Sequence, residues 1–209
     1  MAQASDPIAS SSTGCSAYED LPPLNRGDRN LNPPGISFAA LLHEDLQTFD
    51  GNLFEPGFWA IALHRFGNWR MDIRPKLLRA PFSLLHKMLT WWVVLVGGVH
   101  LPYIVRVGRR VRIWHHGGIV LHARSIGDDV HIRHGTTFGI ASRDQLRAIP
   151  TIEDRVDIGC GVCVLGNVTI GHDSFIGANA VVVSDIPPLS TAVGVPARVI
   201  KHSTASGQQ

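Results

Sequence analysis

Cysteine, charge and long apolar runs are all in short supply in this 209-residue chain. Three Cys residues, an odd number, make no disulfide framework and point to a reducing compartment, hence to the cytoplasm. Charged residues make up 17% and the net charge is +2, which removes any general electrostatic case for nucleic acid. The N-terminus has no basic start followed by an apolar run, so no secretory signal is expected. The most apolar run, Met88 to Val96, is far shorter than the roughly 20 residues that span a bilayer. Aromatics are only 7%, against 21 glycines, a composition that suits a core of small aliphatics.

What the chain does have is a period. Ile152, Ile158, Val164, Ile170, Ile176 and Val182 recur every sixth residue, with Val156, Val162, Val168, Ser174 and Ala180 four places after the first five. A helix returns its apolar face at i+3, i+4 and i+7, and a strand alternates, so neither accounts for six. A six-residue repeat is the mark of a parallel β-helix, in which three hexapeptides close one triangular coil. Upstream, Val107, Ile113 and Ile119 are in phase, while Ile126, Ile132 and Phe138 resume one residue late. About four coils are expected from Val107 to Pro188, with the polar stretch from Ile140 to Thr151 thrown out as a loop. Cys160 and Cys163 form a C-x-x-C spacing inside the repeat with no second pair, which argues against metal or redox use.

The remaining segments read by composition. Residues 1–36, rich in Ser, Pro and Gly, are expected to be a disordered leader. Residues 37–98 form an α-helical domain. Ser37 caps a helix to about Asp50, a second runs from Glu55 to Met71 with Pro56 in its first turn, and a third from about Pro75 to Val96. The third packs on the first coil or another subunit; the alternative is a membrane-surface contact, with Arg70, Arg74, Lys76, Arg79 and Lys87 facing headgroups. The β-helix occupies 99–202 and a short tail 203–209. The cluster Arg106, Arg109, Arg110 and Arg112 reads as a solvated coil edge or as a site for an anionic ligand.

Residues 38–202 resemble the serine acetyltransferase family of hexapeptide-repeat acyltransferases. The resemblance rests on Pro56-Gly-Phe-Trp-Ala-Ile-Ala-Leu-His-Arg65, His115-His-Gly-Gly-Ile-Val-Leu121, Ile126-Gly-Asp-Asp-Val130, His134-Gly-Thr-Thr-Phe-Gly139, Ile176-Gly-Ala-Asn-Ala-Val-Val182 and Val193-Gly-Val-Pro-Ala-Arg198. It implies a left-handed coil, homotrimers with sites between subunits (a dimer of trimers being the alternative), and acetyl-CoA as donor without a metal. His115 matches the family's general base, and imidazole is suited to deprotonating an attacking hydroxyl. His134 falls at a polar position beside the site; His116, His122 and His131 read as coil-edge residues. Cys160 and Ala178, 18 residues apart, stack on one edge and leave room for a pantetheine arm. In the family these positions border CoA, with Gly139 opening the groove and Arg198 and Lys201 toward the phosphate or adenine end.

Two departures bear on the acceptor. Where serine-specific members carry an Asp before the catalytic His, this chain has Trp114; where they carry a second His after the loop, it has Ile149. Asp50 corresponds to an acceptor-binding Asp of the helical domain. The colanic acid biosynthesis acetyltransferases of the same branch lack both groups, and they match Arg109-Arg110, the His115 region and Ile132-Arg-His-Gly135. That likeness favours a sugar hydroxyl in exopolysaccharide synthesis, with L-serine as the alternative. The tail ending in Gln209 differs from the longer, Ile-ended tail by which serine acetyltransferases dock on cysteine synthase, so that partnership is not expected. Two remoter readings stay open. A zinc hydratase like the gamma-class carbonic anhydrases lacks its His-x4-His spacing here, and a non-catalytic trimeric scaffold would bind no CoA.

Overall fold

The computed structural model describes residues 21–202, and every aliphatic or Phe residue in the six-residue series is buried, none more than 1% exposed. The short strands stack into three parallel faces of a left-handed parallel β-helix. Face one holds Val99–His100, Ile119–Leu121, Thr137–Gly139, Cys163–Leu165 and Val181–Val182. Face two holds Arg106–Val107, Ser125–Ile126, Thr151–Ile152 and Thr169–Ile170. Face three holds Arg112–Trp114, His131–Arg133, Asp157–Ile158, Phe175–Ile176 and Ser190–Val193, closed by antiparallel Arg198–His202. Where about four coils are expected, faces one and three reach five parallel rungs and face two adds a single parallel bridge from Ile170 to Ile186, because the coil starts at Val99 and continues past Pro188. Like residues stack on like, as in Ile113, Ile132, Ile158 and Ile176. Each such buried side chain contributes about 1.5–3 kcal/mol.

The phase slip upstream has a different cause from a single extra residue. Ile113 pairs with Ile132, and Leu121, not Ile119, pairs with Phe138. The first coil therefore takes eight residues where the second takes six, a two-residue insertion at the corner between faces three and one. Ile126, which pairs with Ile152, then follows Leu121 by only five, so the net slip is one. The two inserted residues are His115 and His116, between Trp114, which pairs with Arg133, and Gly117, whose carbonyl accepts from Gly135 N. This corner projects from the edge of the coil.

The helices form where periodicity places them. Helix α1 (Phe38–Thr48) starts at Ser37, whose side chain accepts from Ala40 N. Helix α2 (Pro56–Trp69) begins on Pro56 and runs into a 3-10 turn, and α3 (Lys76–Gly97) ends on Gly98 in the left-handed region at φ 61°. A Cβ on Gly57 would run into the Ile113 carbonyl, so α2 lies directly against the first coil. Arg65, fully buried on α2, binds Asp45 of α1 at 2.9 Å and donates to the carbonyls of Val107 and Gly108 at 2.8 and 2.6 Å. This clamp joins both helices to the coil.

Residues 21–36 correct the expectation of a disordered leader over that part of it; residues 1–20 and the tail 203–209 lie outside the described residues. The segment has no regular secondary structure, yet its polar side chains and backbone are tied down. Asn25 donates to Ile104 O, Leu31 N donates to Asn68 Oδ1, Asn32 donates to Arg65 O, and Leu31 is buried. Local propensity does not register such long-range bonds.

Candidate active site

One edge of the coil, where face three turns into face one, collects most of the candidate residues. The ladder there runs Gly135 N to Gly117 O, Gly161 N to His134 O and Asn179 N to Cys160 O. His134, Cys160 and Ala178 therefore stack in register, each the residue before a left-handed corner at Gly135, Gly161 and Asn179. Gly161 has φ 69°, and a Cβ there would meet Asn179 Oδ1, so glycine lets the Asn179 side chain lie over this corner. His115 sits at the top, in the two-residue insertion, exposed and with φ 62°. A positive φ is uncommon outside glycine. Its ring lies 5.7 Å from that of His134, edge to face. Among the described residues no carboxylate or carbonyl hydrogen-bonds the His115 imidazole.

Below the two imidazoles the edge carries only small groups: Cys160, half-exposed, and Ala178, exposed. From His115 to Ala178 is three rungs, about 14 Å at the usual strand spacing. Arg198 follows at the foot of the edge, paired with Val193, while Lys201 pairs with Thr191 further along the last strand. Gly139 does not join this edge. It ends a strand of face one on the opposite side, at the root of the loop 140–150, where a Cβ would meet open space.

Asp50 and Trp114 meet through a residue that motif reading left in the arginine cluster. Arg112 donates to Asp50 Oδ2 at 2.7 Å and stacks its guanidinium 3.8 Å from the centroid of the Trp114 ring. The Trp114 indole N–H donates to His131 Nδ1 at 3.2 Å. Two other arginines of the cluster are engaged too: Arg109 and Arg110 bind Glu44, and Arg110 also binds Asp129. Arg109, Arg110 and Arg112 thus answer acids of the chain itself, Glu44 on α1, Asp50 just after it and Asp129 on the coil. Glu44 is held below the ordinary carboxylate range, first by its hydrogen bond to Arg109. Ile149, at the loop's end, is buried rather than turned toward an acceptor. Among the described residues no group of three or more His, Cys, Asp or Glu is placed to hold a metal ion.

No family model matches the chain. The serine acetyltransferase of Helicobacter pylori strain J99 is 36% identical over 149 residues, covering 71% of this chain and 83% of that protein. The chain belongs to the serine acetyltransferase family. The serine acetyltransferase of Mycobacterium tuberculosis is 40% identical over 152 residues, 72% of this chain; the chain spans 63% of that relative, less than two thirds of its length. Among solved structures, the Brucella abortus serine acetyltransferase in complex with coenzyme A superimposes with a TM-score of 0.68 at 25% identity, covering 86% of this chain and 81% of that one. The Neisseria gonorrhoeae serine acetyltransferase in complex with serine gives 0.64 at 29% identity, covering 78% and 69%.

Proposed function

We propose that the chain moves an acetyl group from acetyl-CoA to a hydroxyl, with His115 as general base. The observation that carries this is the edge itself. A projecting imidazole stands at the head of a column of small residues, Cys160 and Ala178, that leaves a pantetheine arm room to lie. The small side chains fit the group, and the Brucella abortus relative is named as a coenzyme A complex. His115 takes the hydroxyl proton as the oxygen bonds to the thioester carbonyl carbon, then returns it to the leaving thiolate. Trp114 and His134 flank the acceptor, and Arg198 and Lys201 border the donor.

L-serine is the acceptor that the relatives' names support. A sugar hydroxyl is the second reading. Asp50, which would take an amino group, is already paired with Arg112. The unit is a cytoplasmic homotrimer packed through face one. Its outward positions, among them Val120, Thr137, Cys163, Leu165 and Val181, include no Asp, Glu, Lys or Arg. A dimer of trimers is the larger alternative.

The test is thiol release from acetyl-CoA with L-serine and with a panel of sugars, each beside His115→Ala. Turnover that falls about 10²–10⁴-fold in the variant, with the melting temperature unchanged, supports the assignment. Which acceptor reacts decides between the two readings. A wild-type protein that neither turns over nor binds CoA overturns both.

A further inference from the structure

Helix α3 is amphipathic in the inverted sense. Ser83, His86, Thr90 and Gly97 point toward the protein: Ser83 accepts from Arg70 at 2.7 Å, and the His86 ring meets Tyr103 at 5.6 Å. Large apolar side chains point away from it, Leu77 86% exposed, Leu84 62%, Met88 57%, Trp91 61%, Trp92 55% and Leu95 61%. At 1.5 Å per residue these cover a strip roughly 30 Å long. An exposed apolar surface of that extent marks a place of contact.

Charge identifies the contact. From Ile73 to Gly127 the sequence holds no Asp or Glu, and the helix and its approach carry Arg74, Lys76, Arg79 and Lys87. None of these four forms an ion pair among the described residues, whereas the coil arginines behind them are matched with Glu44, Asp50 and Asp129. We propose that α3 lies flat on an anionic lipid surface, its outward apolar strip in the acyl boundary and its Lys and Arg side chains among the headgroups.

The helix is long and apolar enough to cross a membrane by length and composition alone. Crossing would strip His86 from its packing beside Gly67 and Tyr103 and draw Lys87 into hydrocarbon. Lying in the plane keeps the contacts with α2. Pairing of α3 with its own copy in a second chain is disfavoured by the same charges. Isologous pairing sets one patch against its own copy, so Lys76 and Lys87 would face like charges with no acid on α3 to answer them. The inference is independent of which acceptor His115 serves.

The experiment is flotation of the full-length protein with vesicles of phosphatidylcholine alone or mixed with phosphatidylglycerol, together with quenching of indole fluorescence by brominated lipid. Wild type floats with the anionic vesicles and is quenched, and added salt weakens the binding. Lys76→Glu with Lys87→Glu lowers the partition at least about tenfold. Leu84→Ser, Met88→Ser and Leu95→Ser together abolish it without changing the circular dichroism, since all three side chains are outward. Absence of wild-type binding to anionic vesicles overturns the proposal, as does undiminished binding by the triple serine variant. So does a sedimentation mass that drops in that variant, which would show a second copy on the strip.

Discussion

Acid weakens this fold through a buried imidazole, and the size of the effect follows from the surroundings of His64. The side chain is 1% exposed, with Nε2 2.8 Å from the Val105 carbonyl and Nδ1 without a partner. A carbonyl accepts only, so Nε2 carries the proton of the neutral ring. A second proton would sit on Nδ1, in the core, facing no acceptor and close to Arg65. Burial first, and the Arg65 charge second, push the pKa from 6.5 down to about 3. The folded ring thus stays neutral while the unfolded one takes up a proton. The stability is fully present above pH 6.5 and is lost as pH falls from there toward 3. Each pH unit in that window is worth about 1.4 kcal/mol per proton, so His64 costs about 2 kcal/mol between pH 6.5 and roughly 5. His86, pushed down to about 4 by burial and then by Arg70, acts in the same direction. The assay is urea unfolding at fixed protein concentration between neutral pH and roughly pH 5, wild type beside His64→Gln. The glutamine keeps a donor for Val105 O but cannot titrate. The wild-type curve should fall more steeply by about 1.4 kcal/mol per pH unit. Parallel curves would refute the reasoning.

Three further outcomes are expected. Arg65→Met leaves the buried Asp45 carboxylate and the Val107 and Gly108 carbonyls without their donor, and should cost about 3–5 kcal/mol in urea unfolding. Gly161→Val forces a β-branched residue to φ 69° against Asn179, and should lower stability by at least about 1–3 kcal/mol, read as a lower melting temperature. Ala178→Trp fills the exposed edge below Cys160. It should raise the acetyl-CoA dissociation constant about tenfold or more while the melting temperature holds; an unchanged constant would take the donor off this edge.

Much of the coil interior is legible in the sequence because inward positions of a stacked solenoid must be small or aliphatic at every turn. Ile152 to Val182 needed nothing more than counting. The stacking of Cys160 over Ala178 followed from the same repeat length. Counting failed at His115, where a two-residue insertion at one corner and a short corner after it summed to a slip of one. Only strand pairing separates the two.

Other features were settled by contacts between segments far apart in sequence. Asp50 and Arg112 are 62 residues apart, and their pairing over Trp114 depends on how the helices dock. Residues 21–36 look like a linker in composition and are held by Asn68, Arg65 and Ile104. The apolar pattern of α3 was plain from its residues, but a pattern does not say which side meets the protein. That was decided by α2 and the 3-10 turn after it, where Arg70 reaches Ser83 and Gly67 leaves space for His86. Periodicity reports what a chain must bury along one element; the direction in which a face points belongs to its neighbours.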